Sequence, residues 1–178
     1  MNIQELLLFL SSLSVRGSEN EVIELKEAKQ GYDSQKIGKY FSALSNEANL
    51  KGTPFAWLIF GIEDKSHKVV GTQYRKVRAD LDNLKSEIAR KTTNRITFIE
   101  IYEVFPPEGR VIMFQIPAAP RGIPIAFEGH YYGRDNEEFV PLDIEEFERI
   151  RAQVIKEDWS AAIISDASFD YLDQNAVI

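Results

Sequence analysis

The feature of this sequence that most constrains its fold is an apolar segment, Phe55-Ala56-Trp57-Leu58-Ile59-Phe60-Gly61-Ile62. A strand with one face in water alternates apolar and polar residues, whereas a strand covered on both faces is apolar throughout. The segment has eight residues, and a membrane-spanning helix needs roughly twenty. We therefore predict that it forms the central strand of a sheet in a cytoplasmic protein that does not cross a membrane.

Helices and strands interleave along the rest of the chain, but without a regular βαβ rhythm. Apolar residues at helical spacing predict helices over 1–13, 34–47, 77–91 and from about 143 onward. Alternating or β-rich runs predict strands over 22–26, 68–72, 97–105, 110–116 and at Tyr131-Tyr132, and polar residues predict a loop over 46–54. Because two hairpins interrupt the alternation, we predict an α+β fold with a mixed, mostly antiparallel central sheet and flanking helices.

The domain organisation follows from length and periodicity. A chain of 178 residues suits one compact domain, which we place at residues 1–157 and which includes the N-terminal helix. From Asp158 onward the periodicity weakens, and acidic residues occur without a basic one. Residues 158–178 are predicted to be an acidic tail or the start of a linker to a further domain.

The composition excludes several kinds of chemistry. The chain has no cysteine and only two histidines, His67 and His130. A disulfide framework, a zinc-thiolate site, an iron-sulfur cluster and a cysteine nucleophile are therefore excluded. Neither GxxxxGK[ST] nor GxGxxG occurs, so nucleotide binding through those two glycine-rich loops is excluded as well.

Charge is distributed unevenly, although the net charge is -7. Residues 65–134 hold 12 Lys and Arg against 7 Asp and Glu, whereas residues 135–178 hold 3 against 12. The densest basic set surrounds the predicted helix over 77–91 and consists of Arg75, Lys76, Arg78, Lys85, Arg90, Lys91 and Arg95. This set is either a phosphate-contacting face or ordinary solubilising charge on a helix.

Carboxylates occur at two places that could carry chemistry. Glu19 and Glu24 precede Lys26 around the first predicted strand, and Glu63 and Asp64 follow the central strand. Hard cations such as Mg²⁺ bind carboxylate oxygens, so these groups could hold a metal if the chain bends near Glu19. Alternatively, Glu24 and Lys26 share one face of the strand and form a surface ion pair worth about 0 to 1 kcal/mol.

An aromatic and basic run, Tyr131-Tyr132-Gly133-Arg134, is the third candidate. Aromatic rings beside an arginine can stack on a base while the guanidinium holds a phosphate. In the alternative interpretation the tyrosines cover a sheet edge and Arg134 pairs with neighbouring acids.

The order of these motifs is itself informative. It runs through Glu19, Glu24-Leu25-Lys26, Ser42-Ala43-Leu44-Ser45-Asn46, the segment from Trp57 to Asp64, Val70-Gly71 and Tyr131-Tyr132-Gly133-Arg134. Over about residues 15–142 the sequence resembles the Schlafen AlbA-like domain, which in bacteria commonly opens proteins described as transcriptional regulators or divergent ATPase-like proteins. The resemblance implies an α+β domain that binds nucleic acid.

The resemblance also implies a possible enzymatic activity. In animal Schlafen proteins, a related fold cleaves structured RNA with three carboxylates held near a divalent metal. By position, Glu19 and Glu24 match the first two carboxylates, and Asp64, or else Glu63, matches the third. Lys26 matches the basic residue of the first strand.

We therefore predict first a DNA-binding domain of a transcriptional regulator, with DNA preferred over RNA. Its predicted nucleic-acid contacts are Lys26, Arg75, Lys76, Arg78, Lys85, Arg90, Lys91 and Arg134. The first alternative is an endoribonuclease in which Glu19, Glu24 and Asp64 hold Mg²⁺ or Mn²⁺; no other cofactor is expected. The second is a non-catalytic interaction module in which the acidic tail and the apolar first helix mediate contacts between chains. Leu6, Leu7 and Leu10 would favour a homodimer if they are exposed. A binding role is preferred over an enzymatic one.

Overall fold

The computed structural model describes residues 2–16, 20–135 and 138–153. The four helices in this part of the chain are α1 (Ile3–Arg16), α2 (Ser34–Leu50), α3 (Arg78–Ala89) and α4 (Ile144–Arg151), with a short 3₁₀ turn at Thr93–Arg95. The strands are β1 (Ile23–Lys26), β2 (Phe55–Phe60), β3 (Glu100–Val104), β4 (Val111–Pro117), β5 (Ala126–Phe127), β6 (His130–Asp135) and β7 (Glu138–Pro141).

The larger sheet has the strand order β1-β2-β4-β3, which places β2 inside it as predicted. β1 and β2 are parallel, and the other two pairs are antiparallel. Leu58 and Phe60 of β2 pack on one side with residues of α2 and α3, and Trp57 and Ile59 pack on the other side with α1. The continuous apolar run therefore reflects burial on both faces, and the predicted α+β fold with a mixed sheet is confirmed.

Helix α2 begins as the sequence predicts but ends later. The Asp33 side chain caps it by accepting a hydrogen bond from the Gln35 N–H at 2.9 Å. The helix continues to Leu50, so the loop prediction is wrong for residues 46–50. Asn46 and Asn49 favour a loop locally, but their side-chain amides instead donate to carbonyls of the chain between residues 119 and 132. These tertiary bonds extend the helix against local preference.

A second, antiparallel sheet of order β5-β6-β7 packs against α2. The predicted short strand at Tyr131-Tyr132 belongs to β6, whereas β7 forms where the sequence indicates only the approach to a helix. On α2, the Ser42 hydroxyl donates to the Ile125 carbonyl at 2.6 Å and accepts from the Tyr132 N–H at 3.1 Å. Buried polar side chains of α2 thereby hold the second sheet in place.

Helix α1 lies on the face of the larger sheet opposite α2. Leu6 and Leu10 are buried there with Trp57, while Leu7 is partly exposed and Leu8 is largely exposed. The homodimer alternative requires Leu6, Leu7 and Leu10 to be exposed together, and the structure places two of these three side chains in the core.

Two further local features bear on the predictions. The return strand predicted over 68–72 is reduced to a single bridge between Ile62 and Val69. In the described part of the chain, no helix combines the length and apolar character that crossing a bilayer requires.

Candidate nucleic-acid interface and buried charge cluster

The carboxylate of Glu24 lies at the centre of a buried charge cluster. Glu24 sits on β1 opposite Leu58 of β2 and is fully buried. Its Oε1 atom lies 2.6 Å from the Lys26 ammonium, and its Oε2 atom lies 2.5 Å from the Arg134 guanidinium, which β6 brings from the second sheet. The predicted ion pair between Glu24 and Lys26 is therefore present, but the prediction that it lies at the surface is wrong, because Glu24 is fully buried and has a second cation.

Two tyrosines surround this cluster. Tyr40 of α2 is almost fully buried, and the Lys26 ammonium lies 5.9 Å from the centroid of its ring. Burial raises the pKa of the Tyr40 hydroxyl well above its usual value, and the negative charge of the nearby Glu24 carboxylate raises it further. Burial likewise raises the pKa of Tyr32. Both phenols are therefore neutral groups lining a charged site.

The predicted metal ligands are only partly brought together. Asp64, directly beyond β2 and half exposed, lies 3.6 Å from the Lys26 ammonium, so Glu24 and Asp64 meet at one cation. The Glu63 carboxylate is not part of this arrangement and accepts a hydrogen bond from the Ser66 hydroxyl. Glu19 lies outside the described residues.

The described donors do not fit a divalent ion. Both oxygens of Glu24 are already engaged by cationic side chains, which oppose a third positive charge at that carboxylate. Within residues 2–16, 20–135 and 138–153 no group of three or more His, Asp or Glu side chains could hold a metal. In these ranges the carboxylates of Glu24 and Asp64 serve as partners of Lys26 and Arg134.

Most predicted cations near α3 are engaged by acids. Arg75 makes a two-pronged contact with Glu87 at 2.8 and 3.2 Å. The ammonium of Lys85 lies 2.8 Å from Glu100. The other pairs are Arg78 with Asp82, Glu100 and Glu103, and Lys91 with Glu128. Arg78 and Lys85 both contact Glu100 of the edge strand β3, so these two residues are ion-paired and not merely solvated.

Three cations of the predicted set have no acidic partner within the described ranges. They are Lys76, Arg90 and Arg95, and all three are exposed. Lys76 precedes α3 and Arg90 follows it, so they lie at opposite ends of the helix. They cannot form one continuous patch along α3.

Arg90 lies where the end of α3 meets the start of α2. Glu128 accepts from Gln35 of α2 at 3.2 Å and pairs with Lys91 at 2.7 Å, which links the start of α2 to the end of α3. The contact with Lys91 lowers the pKa of Glu128. Between the two helices lies a small cavity of about 130 Å³ lined by Ser34, Arg90 and Lys91, among others.

The first two turns of α2 complete this surface. Lys39 places its ammonium 5.8 Å from the ring centroid of Tyr132 and 5.5 Å from that of Phe139. Lys36, one turn earlier and exposed, lies on the neighbouring helix surface. Neither lysine has a carboxylate partner in the described part of the chain. We call Lys36, Lys39, Arg90 and Lys91 the α2 basic face.

Sequence reasoning could have found part of this face. Lys36 and Lys39 lie off the Ile37, Phe41 and Leu44 stripe that identifies the helix, at a spacing of three residues. The contact of Lys39 with the rings of Tyr132 and Phe139 depends on how the second sheet packs, and no local pattern records it.

The fold is thus an α+β domain with two sheets packed on one long helix. The chain matches the family model described as Schlafen, AlbA_2 over residues 19–143. It therefore belongs to the Schlafen AlbA_2 family, and the predicted resemblance is confirmed. No curated protein matches the chain significantly.

Several solved structures match this chain. The DIP2311 protein of Corynebacterium diphtheriae is 20% identical with a TM-score of 0.58, and the match covers 84% of this chain but only 29% of that protein. The N-terminal domain of a RecG-related protein from Nitrosomonas europaea is 19% identical with a TM-score of 0.45, covering 76% of this chain and 89% of that domain. The chain therefore spans less than a third of the length of the first protein.

Proposed function

We propose that this domain binds nucleic acid, DNA in preference to RNA, through the α2 basic face, as the DNA-binding domain of a transcriptional regulator. The observation that carries the proposal is the position of Lys39. Its ammonium lies over two aromatic rings and has no carboxylate partner in the described part of the chain. Lys36, one turn earlier on α2, and Arg90, at the end of α3, are likewise exposed and unpaired in that part of the chain. Family membership supports the same partner, as the resemblance implies.

The physical basis of binding is the release of counterions from phosphates. Each cation that neutralises a phosphate contributes about 0.9 to the slope of log K against log salt. A cation already paired with a carboxylate must first give up that partner, so it contributes less. The unpaired cations of the α2 basic face are therefore better placed than Arg75, Arg78 and Lys85, whose phosphate contacts remain predictions.

Lys26 and Arg134 have a different role in this proposal. Arg134 is buried against Glu24, and Lys26 is mostly covered. They hold β6 against β1 and so position the surface from which Tyr132 and Lys39 contact the ligand. Ribonuclease activity through Glu19, Glu24 and Asp64 stays a prediction, and the described geometry adds no support to it.

The test is fluorescence anisotropy with duplex DNA, single-stranded DNA and a hairpin RNA, at salt concentrations between about 50 and 200 mM. We expect duplex DNA to bind most tightly. Removing two cations by Lys36→Ala with Arg90→Ala should lower the duplex slope by about 1.8 and weaken binding at least tenfold at the lowest salt.

The matched control removes two exposed arginines at the opposite end of α2, by Arg121→Ala with Arg151→Ala. Both lie close to residues bonded to Asn49, in the last turn of that helix. Binding should be unchanged within about twofold. An equal loss in both double variants, or no binding of any of the three nucleic acids, would overturn the proposal. Tighter binding to the RNA hairpin than to the duplex would overturn the preference for DNA.

A further inference from the structure

A second polar cavity lies at the other end of α2, remote from the α2 basic face. It has a volume of about 270 Å³ and is enclosed by the last turns of α2, the end of β6 and helix α4. Charged side chains of both signs line it: Glu21, Glu47, Lys51, Arg134, Asp135, Glu146 and Arg149. A cavity with this lining favours a polar ligand over an apolar one.

Glu47 is the buried carboxyl of this cavity. Only 3% of the residue is exposed, and its Oε1 atom accepts the Arg134 N–H at 3.2 Å. Its Oε2 atom has no hydrogen-bond partner among the described residues. Burial raises the pKa of Glu47, and the carboxylate of Glu146 adds to the shift. Glu47 lines the cavity, so this oxygen can accept a hydrogen bond from a donor that occupies it.

Two charged residues of α4 line the same cavity. Glu146 and Arg149 have neither a hydrogen bond nor an ion pair from their side chains within the described ranges. The Glu146 carboxylate lies close against β6, because a Cβ atom placed on Gly133 would be only 3.3 Å from its Oε2 atom. A glycine at this position gives the carboxylate room beside the strand.

The remaining cations of the cavity are already engaged. Lys51 pairs with Glu21 at 2.9 Å, a contact that lowers the pKa of Glu21. Arg134 pairs with Glu24. Asp135 is not free either. Among the described residues of the lining, the unpaired groups are therefore the second oxygen of Glu47, the Glu146 carboxylate and the Arg149 guanidinium.

We propose that this cavity binds a small zwitterion, an α-amino acid, whose ammonium contacts Glu47 and Glu146 and whose carboxylate contacts Arg149. An ammonium supplies the donors that the two carboxyls lack, and a carboxylate supplies the bidentate acceptor that a guanidinium favours. The volume equals that of several water molecules at about 30 Å³ each, which suits a ligand of amino-acid size.

The first experiment is a saturation-transfer NMR screen of the purified chain against each of the twenty common L-amino acids at 10 mM. We expect at least one to bind. The amine formed by removing its carboxylate, and the acid formed by removing its amino group, should each bind at least tenfold more weakly. No binding by any of the twenty overturns the proposal, as does equal binding of the amine or of the acid.

Variants then locate the site. Glu47→Gln keeps the shape and the acceptor for the Arg134 N–H, and it should weaken binding at least tenfold. Arg149→Gln should do the same, and since Arg149 is exposed this variant keeps the test valid if Glu47→Gln fails to fold. Glu148→Gln and Arg151→Gln are matched controls on exposed positions of α4 outside the cavity lining.

The controls should bind the amino acid within about twofold of the parent chain. Equal losses in controls and cavity variants would place the ligand elsewhere and overturn the assignment. Binding of nucleic acid at the α2 basic face is measured separately, so failure of one proposal leaves the other standing.

Discussion

The Glu24 cluster and the α2 basic face use the same kinds of side chain under opposite conditions. In the cluster, Lys26 and Arg134 meet one fully buried carboxylate between the two sheets. On the α2 basic face, Lys36 and Arg90 are exposed and unpaired within the described ranges. Charge inside the protein stabilises a specific contact only when it is paired, whereas unpaired charge is tolerated at the surface and remains available to a ligand.

The energetic difference between the two regions is large. Removing one partner of a buried ion pair costs about 3 to 5 kcal/mol, because a charge remains without compensation in a poorly solvating interior. Exposed pairs contribute about 0 to 1 kcal/mol. The buried cluster should therefore determine stability, and the exposed face should affect binding with little effect on stability.

The largest effect is expected for Arg134→Met. This change leaves the Glu24 carboxylate buried with only part of its compensation and should lower the free energy of unfolding by about 3 to 5 kcal/mol, measured by urea denaturation. Arg90→Met on the α2 basic face is the control and should change the free energy of unfolding by less than about 0.5 kcal/mol.

Adding Glu24→Leu to Arg134→Met should recover much of the lost stability. A similar small effect at both arginines would remove the distinction between the two regions.

A smaller effect is expected for Tyr40→Phe in the same cluster. The substitution removes a buried hydroxyl close enough to the Glu24 carboxylate for that charge to raise its pKa, and it should cost about 1 to 2 kcal/mol. Tyr131→Phe tests the same atom change at a residue that is 38% exposed, and it should be nearly neutral. Thermal unfolding of the two variants measures the difference in stability loss between the buried and the exposed tyrosine. Equal shifts of the melting temperature would contradict the prediction.

The pH dependence of the stability of Glu47→Gln tests how burial affects a carboxyl that has no ion pair among the described residues. The pKa of Glu47 is raised in the folded protein above the usual value of 4.5, first by burial. The folded state therefore binds a proton more tightly than the unfolded state, and stability falls as the pH rises from about 4.5 through the folded pKa. Glu47→Gln removes this fall.

The variant should accordingly gain stability relative to the parent chain as the pH increases from about 4 to 7. Urea denaturation across that range measures the difference. Glu148→Gln, on the exposed side of α4, is the matched control. If the difference in the free energy of unfolding between Glu47→Gln and the parent chain stays constant with pH, burial does not raise the pKa of Glu47.

The smallest effect is expected for Lys85→Ala. Lys85 and Glu100 form a partly exposed pair at 2.8 Å, so the loss should be about 0 to 1 kcal/mol and should shrink in high salt. Thermal unfolding at low and high salt measures it. A loss above about 2 kcal/mol would show that surface pairs near α3 behave like the buried cluster.

Much of the fold could be predicted because helices and strands leave local patterns in a sequence. The apolar run at β2, the Asp33 cap of α2 and the Leu81, Leu84 and Ile88 stripe of α3 each indicate an element that the structure contains. The failures have a common origin. Asn46 and Asn49 lie in α2 because distant carbonyls satisfy their amides, and β7 forms because β6 offers it an edge.

The candidate site was predictable only in part. Motifs in the sequence point to Glu24, Lys26, Asp64 and Arg134, and the structure brings these four residues to one place. Their burial was not predictable, since it depends on α2 and β6 covering β1. The motif around Arg134 indicates a phosphate or nearby acids as its partner, but the carboxylate it contacts is 110 residues away along the chain.

The amino-acid sequence alone establishes the family, the α+β class, the central strand and most helix and strand positions, because side-chain periodicities of 3.6 and 2 residues are local properties. Packing in three dimensions was needed to show which charges are buried and paired, which remain available at the α2 basic face, and which surround the cavity at Glu47. Those outcomes depend on solvent exclusion by elements far apart in the chain, and the energy of a charge changes more with its burial than with its neighbours in sequence.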